Sequence, residues 1–105
     1  MSFPRRGEIF WGPGKEKIRP LLVVSNDLDN RYSNDVVVIP GTTQNIEKIY
    51  PVEILVEIAE LRKLTKFQAD SIFTILQDEL GEKIGKLPTP VMEKVAQALR
   101  IELNL

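Results

Sequence analysis

Short β-favouring segments separated by turn residues occupy most of the chain. Ile9, Phe10 and Trp11 in RGEIFW lead directly into the turn sequence GPG at 12–14. The apolar runs PLLVVSN and VVVIP follow, with the polar stretch NDLDNRYSND between them, in which Asn and Asp favour turns. These three segments predict three strands, and the polar stretch is interpreted as a solvated loop.

Two more strands are predicted in the second half of the chain. PVEILVEIA at 51–59 alternates apolar and acidic residues, which is typical of a strand with one face more exposed to solvent than the other. DSIFTIL at 70–76 is the fifth predicted strand. AELRKLTKF, between them, fits a short helix or a loop, and QDELGEKIG at 77–85 predicts a helical turn closed by a glycine.

The C-terminal segment has the pattern of an amphipathic helix. Thr89 is expected to cap it, with Pro90 at its first position. Five strands and one helix predict an α+β fold that is mostly β: a small, mostly antiparallel barrel with the helix packed on it. The length of 105 residues predicts one domain, 1–105. The apolar helix face comprises Met92, Val95, Ala96, Leu99 and Leu103.

Two absent residue types limit the chemistry. The chain has no histidine and no cysteine, so an imidazole base, a thiolate nucleophile and a disulfide framework are excluded. A calcium loop starting at Asp27 is also rejected, because Tyr32 occupies the glycine position and Val38 the twelfth position. These absences leave no imidazole, thiolate or EF-hand metal site; we expect no cofactor and no metal.

Charge and hydropathy indicate the environment of the protein. The opening MSFPRRGE is charged and lacks a signal-peptide core, and no apolar run approaches the roughly 20 residues of a membrane span, so a cytoplasmic location is expected. Net charge is −1, but the first 20 residues are locally basic. That excess could face a phosphate backbone or be a solvated edge. Its basic members are Arg5, Arg6, Lys15, Lys17 and Arg19.

Arg19 is the first candidate site residue. It precedes Pro20, which restricts its backbone to extended conformations at the mouth of the second strand. A guanidinium is a fixed, planar set of five donors that suits a phosphate. Pairing with a nearby glutamate is an equally good interpretation of the local sequence.

PGTTQ at 40–44 is the second candidate. Gly41 permits a close backbone approach, and the hydroxyls of Thr42 and Thr43 and the amide of Gln44 follow it. Such a strand end can hold an oxyanion, although a simple hydrogen-bonded turn fits the same residues.

Three further residues have two interpretations each. Asp70 is a general base or a turn former, and Glu16 is a partner for Arg19 or a second carboxylate. Trp11 could stack on a nucleic-acid base or belong to the core.

Taken in order, these segments resemble the MazF/PemK family of toxin endoribonucleases. The resemblance is carried by RRGEIFW, RPLLVVSND with NRYS, VVVIPGTTQ, and ADSIFTI followed by Leu80, Ile84, Gly85 and Leu87. It spans nearly the whole chain. Two departures are a shorter loop, GPGKEKI, and Gln68 in place of a basic residue that some members have.

The resemblance implies an SH3-like barrel of the CcdB/PemK type, forming a homodimer. It implies metal-independent, sequence-selective cleavage of single-stranded mRNA, restrained by a MazE/PemI-like antitoxin, with operator DNA contacted only through the antitoxin complex. The family's catalytic arginine and threonine fall on Arg19 and Thr42, its late acidic residue on Asp70, and a base-contacting position on Gln44; Glu16 is a loose match to a catalytic glutamate. Thr43, Lys17 and Trp11 are further candidates for RNA binding.

Two other functions share the same fold. A CcdB-like gyrase poison would bind protein and cleave nothing, and a non-catalytic relative would bind RNA without cutting it. The pairing of Arg19 with the PGTTQ turn favours the nuclease, because both segments end strands that could share one groove.

Overall fold

The computed structural model describes residues 2–105 of the chain. In this part of the chain, seven strands and two α-helices form the fold, and two short 3₁₀ turns lie at Ala69–Ser71 and Gln77–Glu79. The strands are β1 (Glu8–Pro13), β2 (Ile18–Val23), β3 (Asp35–Thr42), β4 (Glu53–Ile58), β5 (Lys63–Gln68), β6 (Phe73–Leu76) and β7 (Lys83–Lys86); the helices are α1 (Asp27–Tyr32) and α2 (Thr89–Leu103).

All strand pairs are antiparallel, in the order β4-β5-β3-β2-β1-β7, with β6 paired to β3. The sheet curls into a half-barrel, and α2 packs on it through Val95 and Ala98, both buried. The predicted mostly-β antiparallel fold with a C-terminal helix is therefore confirmed.

β3 holds the sheet together by pairing with three strands. Its first residues pair with β6 (Asp35↔Leu76 to Val38↔Phe73), and its middle pairs with β2 (Val38↔Val23 to Pro40↔Leu21). Its last two residues, Gly41 and Thr42, pair with Phe67 and Lys66 of β5. The β2–β3 ladder thus ends at Pro40, which has no N–H to donate, and the β3–β5 ladder begins at the next residue, Gly41.

The sheet buries apolar side chains on both faces. One cluster lies under α2 and the β4–β5 hairpin and includes Ile9, Leu22, Ile39, Phe67 and Val95. The second lies on the other face, and its buried members are Leu21, Val23, Val36, Val38 and Ile75. The two clusters explain why the second and third strands are apolar at almost every position.

Several sequence predictions were wrong in detail. The 59–67 segment is a turn followed by β5, because Lys63–Gln68 pairs with the whole of β4. The 77–85 segment contains one 3₁₀ turn whose C-cap is Leu80, not a glycine, and then β7, which pairs with β1. Residues 2–105 accordingly form seven strands rather than the five expected.

Helix boundaries were also mispredicted. The polar stretch expected to be a loop contains α1, which begins because the side chain of Asn26 accepts a hydrogen bond from the Asp29 N–H at 2.8 Å. In α2 the N-cap is Pro88, so Thr89 is already helical and does not cap. Leu103 is 49% exposed and lies outside the packed face.

No helix among residues 2–105 is long and apolar enough to cross a membrane.

Glu8 of β1 forms a salt bridge with Lys83 of β7. Partial burial raises the pKa of its carboxyl, but hydrogen bonds from the Lys83 ammonium (2.7 Å) and the Arg5 N–H (2.7 Å) outweigh that effect. With the charges of Lys83 and Lys86 added, the pKa lies below its ordinary value of 4.5. The contribution of Glu8 to stability is therefore complete above that value and is lost as the pH falls through the lowered pKa.

We expect Glu8→Gln to lower the free energy of unfolding by about 0.5–1 kcal/mol at pH 7, since Lys83 is half-exposed and solvent weakens the pair. The difference from the unmodified protein should shrink below pH 4.5 and vanish once the pH is below the lowered pKa of Glu8. Urea unfolding at several pH values measures it. A difference that stays constant with pH would contradict the role of the carboxylate charge.

Candidate functional site

A groove with a volume of about 810 Å³ opens where β2 and β3 separate. It is lined by residues from the β1–β2 hairpin, the end of β3 and the turn that follows, β5, and the segment around β6. Its lining residues are Pro13, Gly14, Lys15, Arg19, Pro40, Thr42, Gln44, Asn45, Lys66, Gln68, Asp70, Ser71, Ile72, Phe73, Ile75 and Glu79.

Strand register explains why Arg19 and Thr42 reach the same groove. β2 and β3 pair from Val23↔Val38 to Leu21↔Pro40. If the ladder continued in this register, Arg19, two residues before Leu21, would lie opposite Thr42. That pair does not form: the β2–β3 ladder ends at Leu21↔Pro40, and beyond it Arg19 pairs with Gly12 of β1 and Thr42 with Lys66 of β5. The two side chains therefore flank the opening between the diverging strands.

The stem of Arg19 packs against the β1–β2 hairpin. A Cβ atom on Gly14 would lie only 2.9 Å from Arg19 Cγ and 2.5 Å from the Lys17 carbonyl oxygen, so glycine is needed for this close approach. The hairpin is closed by the Gly14 N–H, which donates to that carbonyl at 2.9 Å. Within residues 2–105, Arg19 has no carboxylate partner within ion-pair distance, so its charge is not neutralised by a neighbour.

Thr42 ends β3 and begins the PGTTQ turn. Its Oγ1 accepts a hydrogen bond from the Gln44 N–H at 3.2 Å, which fixes the turn. The hydrogen-bonded turn is therefore present, and Thr42 and Gln44 both line the groove as well. The two interpretations of this segment do not exclude each other.

Asp70 lies in the 3₁₀ turn after β5 and is exposed on the groove. Glu79 also lines the groove, and its Oε1 accepts a hydrogen bond from the Leu76 N–H at 3.0 Å. The groove thus combines the cations Arg19 and Lys15 with two carboxylates. This arrangement has donors for an anion and acceptors for a proton in one cleft.

Lys66 is a groove residue that the sequence interpretation missed. It lies in β5, is only 5% exposed, and pairs with Glu53 at 3.4 Å. In this segment Leu64 is exposed while Lys66 is buried. The order of polar and apolar residues therefore did not indicate a strand or a buried lysine.

The remaining candidates lie outside the groove lining. Glu16 and Lys17 are exposed in the hairpin turn and at its end, and Thr43 is exposed beside Thr42. Trp11 is half-buried against the core and lines a separate cavity of about 280 Å³ with Glu60, Leu61, Glu82, Lys83 and Ile84.

Among residues 2–105, no group of three or more carboxylates is placed to hold a metal ion.

The curled half-barrel and its groove define a small β protein with a cleft lined by cationic and acidic side chains. Comparison with known proteins gives the family. The profile described as "PemK-like, MazF-like toxin of type II toxin-antitoxin system" matches residues 5–103. The chain belongs to this family, which confirms the resemblance noted in the sequence.

Curated relatives match nearly the whole chain. The "Endoribonuclease MazF9" of Mycobacterium tuberculosis is 32% identical, with 96% of this chain and 97% of that protein covered. The "Endoribonuclease EndoA" of Bacillus subtilis is 31% identical, with 96% and 95% covered.

A solved structure described as "Endoribonuclease in complex with its cognate antitoxin from Mycobacterial species" superposes with a TM-score of 0.86 at 30% identity, covering 97% of this chain and 96% of that one.

Proposed function

We propose that this protein is the toxin of a type II toxin–antitoxin system and acts as an endoribonuclease on single-stranded mRNA. Family membership supports the class of activity. The observation that carries the proposal is the groove at the β2–β3 divergence, where a strand-end threonine and an arginine that has no carboxylate partner among residues 2–105 face one cleft.

The proposed chemistry uses the nucleophile that RNA itself supplies. The 2′-OH oxygen attacks the adjacent phosphorus, the P–O5′ bond breaks, and the products are a 2′,3′-cyclic phosphate and a 5′-OH end. Arg19 donates to the non-bridging oxygens as negative charge builds up, and the Thr42 hydroxyl donates beside it. Asp70 accepts the proton of the 2′-OH, while a proton from solvent reaches the departing 5′ oxygen.

This division of roles makes charge stabilisation the main source of acceleration. A carboxylate is a weak base at neutral pH, whereas a guanidinium is always charged. No metal is required in this scheme, because Arg19 provides the positive charge. The exposed turn residues Thr43 and Gln44, with Lys17 and Trp11 as more distant candidates, would set base selection, and Glu16 is a further candidate for a catalytic carboxylate.

The proposed partners follow from the same family. The mycobacterial endoribonuclease of known structure is described as bound to its cognate antitoxin. We propose an antitoxin that covers the groove of this protein, a homodimeric toxin, and a cytoplasmic location. Contact with operator DNA would come only through the antitoxin complex.

One incubation tests the activity and its metal requirement together. Purified protein is mixed with a long single-stranded RNA with and without EDTA, and the new ends are mapped. We expect cleavage at a limited set of sites, 5′-OH and cyclic phosphate ends, and the same rate with EDTA. RNA that is retained but remains intact would refute the nuclease and favour a binding protein, and RNA that is neither bound nor cut would favour a protein-binding toxin.

A further inference from the structure

Lys66 is a buried cation at the edge of the groove that makes two hydrogen bonds and one ion pair. Its Nζ donates to the carbonyl oxygens of Asn45 at 3.0 Å and Lys48 at 3.4 Å, and lies 3.4 Å from Glu53 Oε2. Both charged side chains are only 6% exposed. Two of the three N–H donors of this ammonium thus hold backbone carbonyls, and its charge is paired with the Glu53 carboxylate.

The acceptors belong to the connection between β3 and β4. Residues 43–52 form this connection and contain neither helix nor strand. Asn45 has a positive φ of 53°, a conformation that asparagine tolerates better than most residues, and its carbonyl accepts from Lys66. The first half of the connection is therefore attached to the Lys66 ammonium.

Glu53 attaches the second half of the same connection. Its Oε1 accepts a hydrogen bond from the Tyr50 N–H at 2.9 Å, while its Oε2 faces Lys66. One buried ion pair thus joins both halves of residues 43–52. The start of that connection carries Thr43 and Gln44 and follows directly from Thr42.

We propose that Lys66 is a positioning residue that holds the 43–52 connection so that Thr42 and Gln44 keep their place in the groove. This inference rests on the proposed nuclease function. Lys66 pairs with Thr42 across β3 and β5, so the same residue fixes the strand end and the connection that follows it. Its role is to determine substrate binding and base selection, not to contact the scissile phosphate.

The test replaces the ion pair rather than breaking it. Removing one charge alone would leave the other buried without a partner, which destabilises proteins strongly. The double variant Lys66→Met/Glu53→Gln keeps similar volumes and keeps an acceptor for the Tyr50 N–H, but it removes the donors to Asn45 and Lys48. The matched control is Lys63→Met, an exposed lysine of the same strand that lies outside the groove lining.

Three readouts separate positioning from loss of folded protein. We expect kcat/KM of the double variant to fall about 10–100-fold, mainly through KM, with cleavage at sites the unmodified protein ignores. Amide hydrogen exchange should become faster in residues 43–52 and remain unchanged in β2. Lys63→Met should match the unmodified protein in all three.

Each other outcome is decisive. A lower kcat with unchanged KM, unchanged cleavage sites and unchanged exchange in 43–52 would mean that less protein is folded and would overturn the positioning role. Absence of cleavage by the unmodified protein would overturn the proposed nuclease function and, with it, the role in base selection. In that case the exchange experiment still decides whether Lys66 holds the connection.

Discussion

Replacing Arg19 with alanine is expected to lower the rate constant for RNA cleavage by about 10²–10³-fold, the typical loss when one donor to the developing charge is removed. Because Arg19 lacks a carboxylate partner among residues 2–105, no ion pair is broken, and the fold should keep its stability. Single-turnover cleavage of a fluorogenic RNA, with unfolding measured in parallel, tests both expectations.

Two other variants make the comparison specific. Asp70→Asn should reduce the rate less than Arg19→Ala, because a carboxylate contributes only weak base catalysis at neutral pH. Arg100→Ala removes an exposed arginine of α2 that lies outside the groove lining, so it should leave cleavage unchanged. Equal rates for Arg19→Ala and Arg100→Ala would refute the assignment of Arg19.

Gly41→Ala is expected to destabilise the protein by about 1–3 kcal/mol through overpacking. A Cβ at this position would lie 2.6 Å from Thr65 Cγ2 and 2.9 Å from Phe67 Cε1. Both neighbours are fully buried, so neither side chain can move aside freely. Thermal unfolding should show a loss of about 4–8 °C for each kcal/mol.

Gly85→Ala is the matched control. Its Cβ would also be crowded, 2.7 Å from Glu60 Oε1, but that carboxylate ends a flexible, exposed side chain that can rotate away. Alanine also reduces the freedom of the unfolded chain, so Gly85→Ala should be neutral or slightly stabilising. A similar loss of stability in Gly41→Ala and Gly85→Ala would show that contact with the fixed core side chains is not the cause of the destabilisation.

The sequence predicted the fold class well where apolar runs are regular. β2 and β3 are apolar at nearly every position because both faces of the sheet are covered, and this pattern is easy to interpret. β5 was missed because its exposed leucine and buried lysine reverse the usual relation between polarity and burial. α1, only six residues long, depends on a cap by Asn26 within a polar stretch that has no helical periodicity.

The candidate site was predictable only in part. Arg19, Thr42, Gln44 and Asp70 were named from strand ends and from the family resemblance, and all four line one groove. Their roles remain predictions. Lys66 could not be found in the same way, because its importance arises from tertiary contacts with two loop carbonyls and a carboxylate on another strand.

The pairing of β1 with β7 has a consequence for synthesis of the protein. These strands lie far apart in the sequence, with Glu8 opposite Lys86. Contacts between such distant residues form late, after much of the loop-closure entropy has been lost. All residues that line the groove precede β7 in the sequence and are translated before it. The complete sheet can therefore form only after β7 has been translated. We therefore expect a nascent chain to remain inactive towards the messenger that encodes it until β7 has emerged.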